Sequence, residues 1–502
     1  MTRQYLSTGS EWTFELLDVY DKAIGNLAEK FELDTYPNQI EVINSEQMID
    51  AYAAVGMPLM YHHWSFGKKF LNNMQNYRRG RMGLAYEIVI NSNPCIAYLM
   101  EENTMAMQAL VIAHACYGHN SFFKGNYLFR QWTSADSIID YLLFARHYIH
   151  QCEEKYGVDA VEELLDACHA LMNQGVNRYM RPSAISAEME INQAKEREEY
   201  IQRNINDLWR TIPSKKDGQT KAKRRFPAEP EENVLYFIEK NAPLLKTWQR
   251  ELIRIVRKIA QYFYPQRQTQ VMNEGWASFW HFTLMHELYN EGLINEGYIL
   301  EFLHSHSSVV FQPDFDDPRY SGINPYTLGF NIYRDLRRIC EHPEEEDKLW
   351  FPDIAGSDWL KTLHHAMSQF KDESFILQFL SPRVMREMKL FCMDDDDREP
   401  YLEVSAIHDE SGYKALRASL SNQYNLGNQE PNIQVYDVDV RGDRSLTLIH
   451  TMHKGQNLDA DTAMEILKHL HLLWGFDVKL NSVDSSGEIQ HSYCTSETHK
   501  VS

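Results

Sequence analysis

The sequence predicts a mainly α protein: one large helical body over residues 1–393, with an exposed loop at 213–233, followed by a small C-terminal α/β (α+β) domain over residues 400–502. Three observations carry that prediction. Apolar residues recur every three or four positions through most of the first 390, the period of an amphipathic helix. After Asp394–Pro400 (DDDDREP) the pattern changes, and short alternating runs interleave with helical ones. The 502 residues are 43% hydrophobic and 24% charged, which excludes wholesale disorder and allows a large core without disulfide or metal staples.

The elements follow in order. Segment 11–32 (EWTFELLDVYDKAIGNLAEKFE) has the helical period with charges between. Segments 134–155 and 159–174 share it and are split by Tyr156-Gly157, a helix stop. Segment 185–210 is polar throughout and predicts a solvated helix. The stretch 213–233 is rich in Lys, Arg, Glu, Pro and Gly and reads as an exposed loop. Segment 233–262 predicts a long helix broken at Pro243. Helices continue through 270–307, 325–340, 357–369 and 383–391. Beyond the break, Tyr401–Ile407 alternates like a strand and 410–424 predicts a helix. Ile433–Val440 and Ser445–Thr451 predict a hairpin across Arg441-Gly442-Asp443. Segment 459–474 predicts a helix, and Gly475–Leu480 a last strand.

Composition removes several function classes. Fifty Lys+Arg against 71 Asp+Glu leave a net charge of −21, which opposes nonspecific nucleic-acid binding and attachment to an anionic membrane. No apolar run approaches the roughly 18–20 residues of a membrane span. The N-terminus (MTRQYLSTGSEWTFE) carries no secretory h-region. The seven Cys are widely spaced without a C-x-x-C, which fits reduced, buried thiols. The expectation is a cytoplasmic protein with neither nucleic acid nor membrane as partner. The chain lacks a P-loop, a G-x-G-x-x-G, a G-x-S-x-G elbow and an H-E-x-x-H. Yet it holds 21 His, 28 Tyr, 23 Phe and 10 Trp, which points to a large core with polar groups inside it.

Two stretches look chemical. Val111–Lys124 holds His114 and His119. Five residues along an α-helix turn through roughly 140°, so the pair shares no face unless a local bulge or a helix end at Gly118 intervenes. Asn273–His281 holds Glu274 and His281, seven apart and on one face within roughly 20°. Two His from one helix and a Glu from a later one form the ligand set of a catalytic zinc site. His114, His119 and Glu274 are therefore candidate ligands for a divalent metal, with zinc the first choice. His281 is a candidate fourth ligand or proton shuttle. Against this stands the ordinary reading of a His on an aromatic face, a hydrogen-bonded core residue. Position 115, where a general-base Glu would follow the first His, is Ala115, so Glu101 and Glu102 are the candidate bases. His62, His63, Glu87 and Trp276 are candidate pocket-lining residues. Ser321–Tyr326 reads as caps and turns.

These stretches together resemble the SpoVR family, named for a stage V sporulation protein. The resemblance rests on MYHHWSFGKKF (60–70), GLAYEIVINSNPCIAYLMEEN (83–103), AHACYGHNSFFK (113–124), MNEGWASFWH (272–281), SGINPYTLGF (321–330), WFPDIAGSDW (350–359), KDESFILQFLSP (371–382) and VDVRGDRSLTLIH (438–450). It implies a cytosolic, mostly helical protein with a smaller C-terminal domain. It also implies a link to spore cortex formation in spore formers. In the proteobacterial branch, which this chain resembles, it implies stress or starvation responses, with a PrkA-type serine kinase and neighbouring operon products as partners. A second resemblance bears on chemistry. Glu274-Gly-Trp-Ala277 looks like the third-ligand helix of gluzincin metallopeptidases, and His114/His119 look like a degenerate first motif, so gluzincin-like core elements are expected. Two functions follow: a metal-dependent hydrolase of an amide or peptide-like, cell-wall-related substrate, or a non-catalytic scaffold acting with the kinase.

Overall fold

The computed structural model describes residues 5–54, 56–79, 87–178, 225–394, 403–406, 409–453 and 455–498. The helix expected at 185–210, the loop over 213–224 and the stretch 395–402 lie outside them. The chain forms two compact units: Met1–Glu162 with Gln261–Glu430, and Glu163–Ala260 with Pro431–Ser502. The expected division ran linearly, 1–393 and 400–502; the grouping in space instead places residues 163–260 with the C-terminal segment. It places the Glu410–Gln423 helix with the first unit.

The first unit is mainly helical. Its centre is the helix Gln270–Asn290, buried around most of its circumference, with Val271, Met272, Trp276, Phe279, Trp280, Leu284, Met285 and Leu288 in the core. Around it stand Phe14–Lys30, the buried run Met105–His119, Glu296–Val309 and Pro325–Glu341. Asn324 caps Pro325–Glu341 by accepting from Tyr326 N–H, as the turn reading of Ser321–Tyr326 expects. The first unit also holds a sheet the sequence did not suggest: β1 (Asn38–Ile43), β2 (Glu87–Ile90) and β3 (Cys95–Met100), in the order β1-β3-β2. β1 runs parallel to β3, and β2 antiparallel, with Glu87 opposite Leu99. Strands β4 (Cys392–Asp394) and β5 (Glu403–Ala406) pair antiparallel.

The second unit is α/β. Its sheet runs β6 (Asn432–Val438), β7 (Leu446–Thr451), β8 (Val478–Val483) and β9 (Ile489–Cys494) in spatial order. The β6–β7 hairpin turns over Arg441-Gly442-Asp443, and helix Ala460–Trp474 makes the crossover that lets β8 run parallel to β7. Strand β9, exposed along most of its length, was not anticipated. The helices Val234–Asn241 and Thr247–Gln268 are separated at Ala242-Pro243, where the break was expected.

Among the described residues, no helix is long and apolar enough to cross a membrane. Cys95, Cys116, Cys152, Cys168, Cys340 and Cys494 are free and buried.

Three glycines set how closely the central helix is approached. A Cβ on Gly118 would stand 2.6 Å from Ala277 Cα. A Cβ on Gly275 would overlap the backbone of Gly329, and one on Gly329 would overlap the Val271 carbonyl oxygen. In each case the obstacle is backbone, which cannot step aside as a flexible side chain can. Gly275→Ala is therefore expected to destabilise the protein by about 1–3 kcal/mol, read as a lower thermal midpoint. Gly67→Ala is the control. Gly67 is an exposed helical position with open space at its Cβ, and there the substitution should be neutral or stabilising by up to about 1 kcal/mol.

Candidate metal centre

The buried run between Thr104 and Asn126 is wound in two ways. Met105–Val111 is α-helix, and Ile112–His119 is π-helix with all eight residues buried. In a π-helix the backbone bonds run from i to i+5, so a separation of five residues closes about one turn. His114 and His119, which an α-helix would point apart, therefore stand on the same side. Their ring centroids are 4.6 Å apart and their planes nearly perpendicular.

Two carboxylates face the pair. Glu87, the first residue of β2, places Oε1 3.1 Å from His114 Nε2. Glu274, on the central helix, places Oε2 3.8 Å from His114 Nε2 and 3.5 Å from His119 Nε2. Glu87, His114 and His119 each offer a ligand atom within 4.8 Å of the others. Glu87 Oε2 and Glu274 Oε2 are buried and make no hydrogen bond. A buried carboxylate oxygen with no donor is costly, and a cation held there would offset that cost. The residues thus fit a divalent ion: two imidazole nitrogens and carboxylate oxygens, converging and largely shielded from water.

The outward nitrogens of both imidazoles are engaged. His119 Nδ1 lies 2.9 Å from Asn273 Oδ1. Since an amide oxygen only accepts, His119 Nδ1 carries the proton. His114 Nδ1 lies 2.8 Å from His281 Nδ1, and His281 Nε2 lies 2.7 Å from His306 Nδ1. Partners behind the ligating nitrogen are the usual way a metal-binding imidazole is oriented.

The charges follow from this packing. Burial works to raise the Glu274 carboxyl, but the charge on His119 and the nearness of the His114 and His119 rings outweigh it and hold the group well below the usual carboxylate range. Burial raises Glu87, offset in part by His114 and His119. Burial works to lower His119, yet the nearby carboxylate of Glu274, with Glu87 and Asn273, raises it to about 9. His281 is held far below its ordinary value, first by burial and then by the neighbouring imidazoles. His306 is lowered to about 4 by burial, His286, His114 and Arg334.

The structure brings together His114, His119, Glu274, His281 and Glu87. His281 sits behind His114 with both nitrogens engaged, so it is not a fourth ligand at this point. Glu101 and Glu102, the expected bases, do not reach the cluster. Both are exposed in the turn after β3, where Glu101 O accepts from the Trp12 indole and Glu102 accepts from Ser45 N–H. His62 is exposed beside Arg146, in a surface cleft with His147, His150 and Glu153. His63 caps the helix Trp64–Arg78. Trp276 is a core residue. It is fully buried, donates to Ser121 Oγ and packs against Trp280 and Tyr333.

One residue was missed. Tyr326, in the first turn of Pro325–Glu341, feels the charge of Glu274, and its ring lies nearly parallel to His114 at 6.5 Å. The charge on Glu274, then burial and Glu87, push its phenol well above the ordinary range, so it stays a donor. Its only signal in the sequence was an aromatic after Asn324-Pro325, which caps and turns also explain.

A family model described as "SpoVR like protein" matches residues 11–429, and one described as "SpoVR-like C-terminal domain" matches residues 431–485. The chain is 64% identical over 486 residues to the "Uncharacterized protein YcgB" of Escherichia coli (strain K12), covering 97% of this chain and 95% of that one. No solved structure matches it.

The first turn of the central helix, which aims Asn273 and Glu274, is held by a buried carboxylate. Asp372 Oδ2 accepts from Val271 N–H and Oδ1 from Met272 N–H, both at 2.9 Å. Burial nevertheless raises Asp372 to about 7, against the pull of those backbone bonds. Its folded value lies above its unfolded one, near 3.8. Its contribution to stability is therefore fully present below about pH 4 and is lost as the pH rises through about 7. Asp372→Asn removes that dependence. In parallel denaturant titrations, wild type should lose stability relative to the variant between pH 4 and pH 8. A constant difference across that range would refute the ionisation.

Proposed function

Because the chain belongs to the SpoVR family, we propose that it works as a metal-dependent, hydrolase-like member of that family, holding one divalent ion and cleaving an amide or peptide-like bond. The observation that carries the reading is the convergence of His114 Nε2, His119 Nε2 and the carboxylates of Glu87 and Glu274, with two buried oxygens lacking donors. His114, His119 and Glu274 are the ligands in this reading, with zinc the first choice for such nitrogen and oxygen donors. A His pair on one helical run and a Glu on a later helix support the assignment, by their resemblance to a gluzincin ligand set. When bound, the ion supplies a polarised carbonyl oxygen and a more acidic water.

The chain's own groups do the rest. Glu87 stands in for the carboxylate that is Ala115 in the motif position. Its Oε2 is free to receive a proton from water. Tyr326, whose phenol stays protonated beside the Glu274 charge, would steady the oxygen of a substrate carbonyl in this reading. Side-chain exposures of 16% for Glu87 and 20% for Glu274 leave this largely shielded centre a limited access to water. By resemblance, the substrate is related to the cell wall and the setting is a stress or starvation response beside a PrkA-type serine kinase.

Metal analysis of the purified full-length chain should find about one divalent ion per chain. His114→Ala and Glu274→Gln should abolish binding. Glu87→Gln should retain the ion and lose amide hydrolysis. Absence of bound metal, or full complementation of a deletion strain by a folded His114→Ala protein that still binds the kinase, would replace this reading with the non-catalytic scaffold.

A further inference from the structure

Three imidazoles run in line away from the proposed ligand nitrogens. His114 Nδ1 meets His281 Nδ1 at 2.8 Å, and His281 Nε2 meets His306 Nδ1 at 2.7 Å. Two nitrogens that close share one proton: two lone pairs would repel, and two N–H groups would collide. The row is walled by rings. Phe302 packs on His281, and Phe282, Phe302 and Phe330 pack on His306. His281 and His306 are 1% and 4% exposed, so water does not replace either partner.

A neutral row of this kind has two self-consistent arrangements. In the inward one, His306 Nδ1–H donates to His281 Nε2, His281 Nδ1–H donates to His114 Nδ1, and His114 Nε2–H donates to Glu87 Oε1, 3.1 Å away. In the outward one every bond is reversed. His114 Nδ1–H donates to His281, His281 Nε2–H donates to His306, and His114 Nε2 bears a bare lone pair. Only the outward arrangement can ligate a metal.

We infer that His281 and His306 are positioning residues that set the tautomer of His114, so that metal capture reverses the whole row and releases Glu87 from His114. The protons balance. One leaves His114 Nε2, one passes along each of the two N···N bonds, and one is taken up at His306 Nε2. No net charge is added to the row. His119 differs. Its partner is the Asn273 oxygen, which only accepts, so its Nδ1 stays protonated throughout. The two ligands are thus held by different devices, one fixed and one reversible. The inference rests on the metal reading above and adds to it a link between loading and the freedom of Glu87.

The test is tautomer assignment by ring-nitrogen NMR on full-length, histidine-labelled protein, chelator-treated and then titrated with Zn²⁺. Zinc should move the His306 proton from Nδ1 to Nε2 and that of His281 from Nδ1 to Nε2, with His119 Nδ1 unchanged. His281→Leu should lower zinc affinity by about 10- to 100-fold and leave His306 unresponsive. His281→Gln, whose amide oxygen can accept from His114 Nδ1–H, should recover most of the affinity with His306 still unresponsive. If zinc binds and His306 keeps one tautomer throughout, or if folded His281→Leu binds zinc like wild type, the inference fails while the metal reading stands. If wild type binds no zinc, both fail.

Discussion

The centre depends on how one buried turn is wound. A π-helix over Ile112–His119 closes about one turn in five residues and so brings His114 and His119 to one point. A wider turn needs a neighbour that tolerates it. Gly118 supplies that tolerance, because its missing Cβ lets the turn lie against Ala277 on the central helix. The same helix delivers Glu274 and His281 from its other positions. One local widening and one close backbone approach therefore place both imidazoles, a carboxylate and the first partner of His114.

The second constraint is the cost of burial. Two carboxylates and several imidazoles sit in a core otherwise made of Trp, Phe, Leu and Met. Unpaired, such groups would be expelled or neutralised. Here nearly every nitrogen has a partner: Asn273 for His119, His281 for His114, His306 for His281. At the centre, Glu87 Oε2 and Glu274 Oε2 have no donor, and Glu274 Oε2 faces the Nε2 atoms of both imidazoles. Two carboxylate oxygens therefore lack donors beside two imidazoles, and a divalent cation is a species that would satisfy them.

Much of the architecture was legible because it is local. Gly157 stops a helix with a positive φ, Ala242-Pro243 breaks another, and Asn324 caps a third. The β6–β7 hairpin was visible in its turn residues. The sheet β1-β3-β2 was not. EIVI and CIAYLM are short apolar runs, and periodicity alone cannot tell a buried strand from a buried helix. Strand β9 failed for the opposite reason, since most of it is exposed and its polar residues Gln490, His491 and Ser492 break any alternation. Glu101 and Glu102 were attractive as bases because they lie near His114 in the chain. Their carboxylates are exposed in a turn, and the carboxylate that reaches His114 is Glu87, on the neighbouring strand.

The sequence by itself determined the family, the mainly helical body, the α/β end and four of the five groups at the centre as candidates for one metal site. These follow from residue type and spacing, which act within a turn or two of chain. Only the tertiary structure decided that five residues make one turn at Ile112–His119, that Glu87 outranks Glu101 and Glu102, that Tyr326 joins Glu274, and that His281 and His306 form a row behind His114. Each is a meeting of distant segments, set by which faces bury against the central helix and by which buried polar atoms must find a partner there.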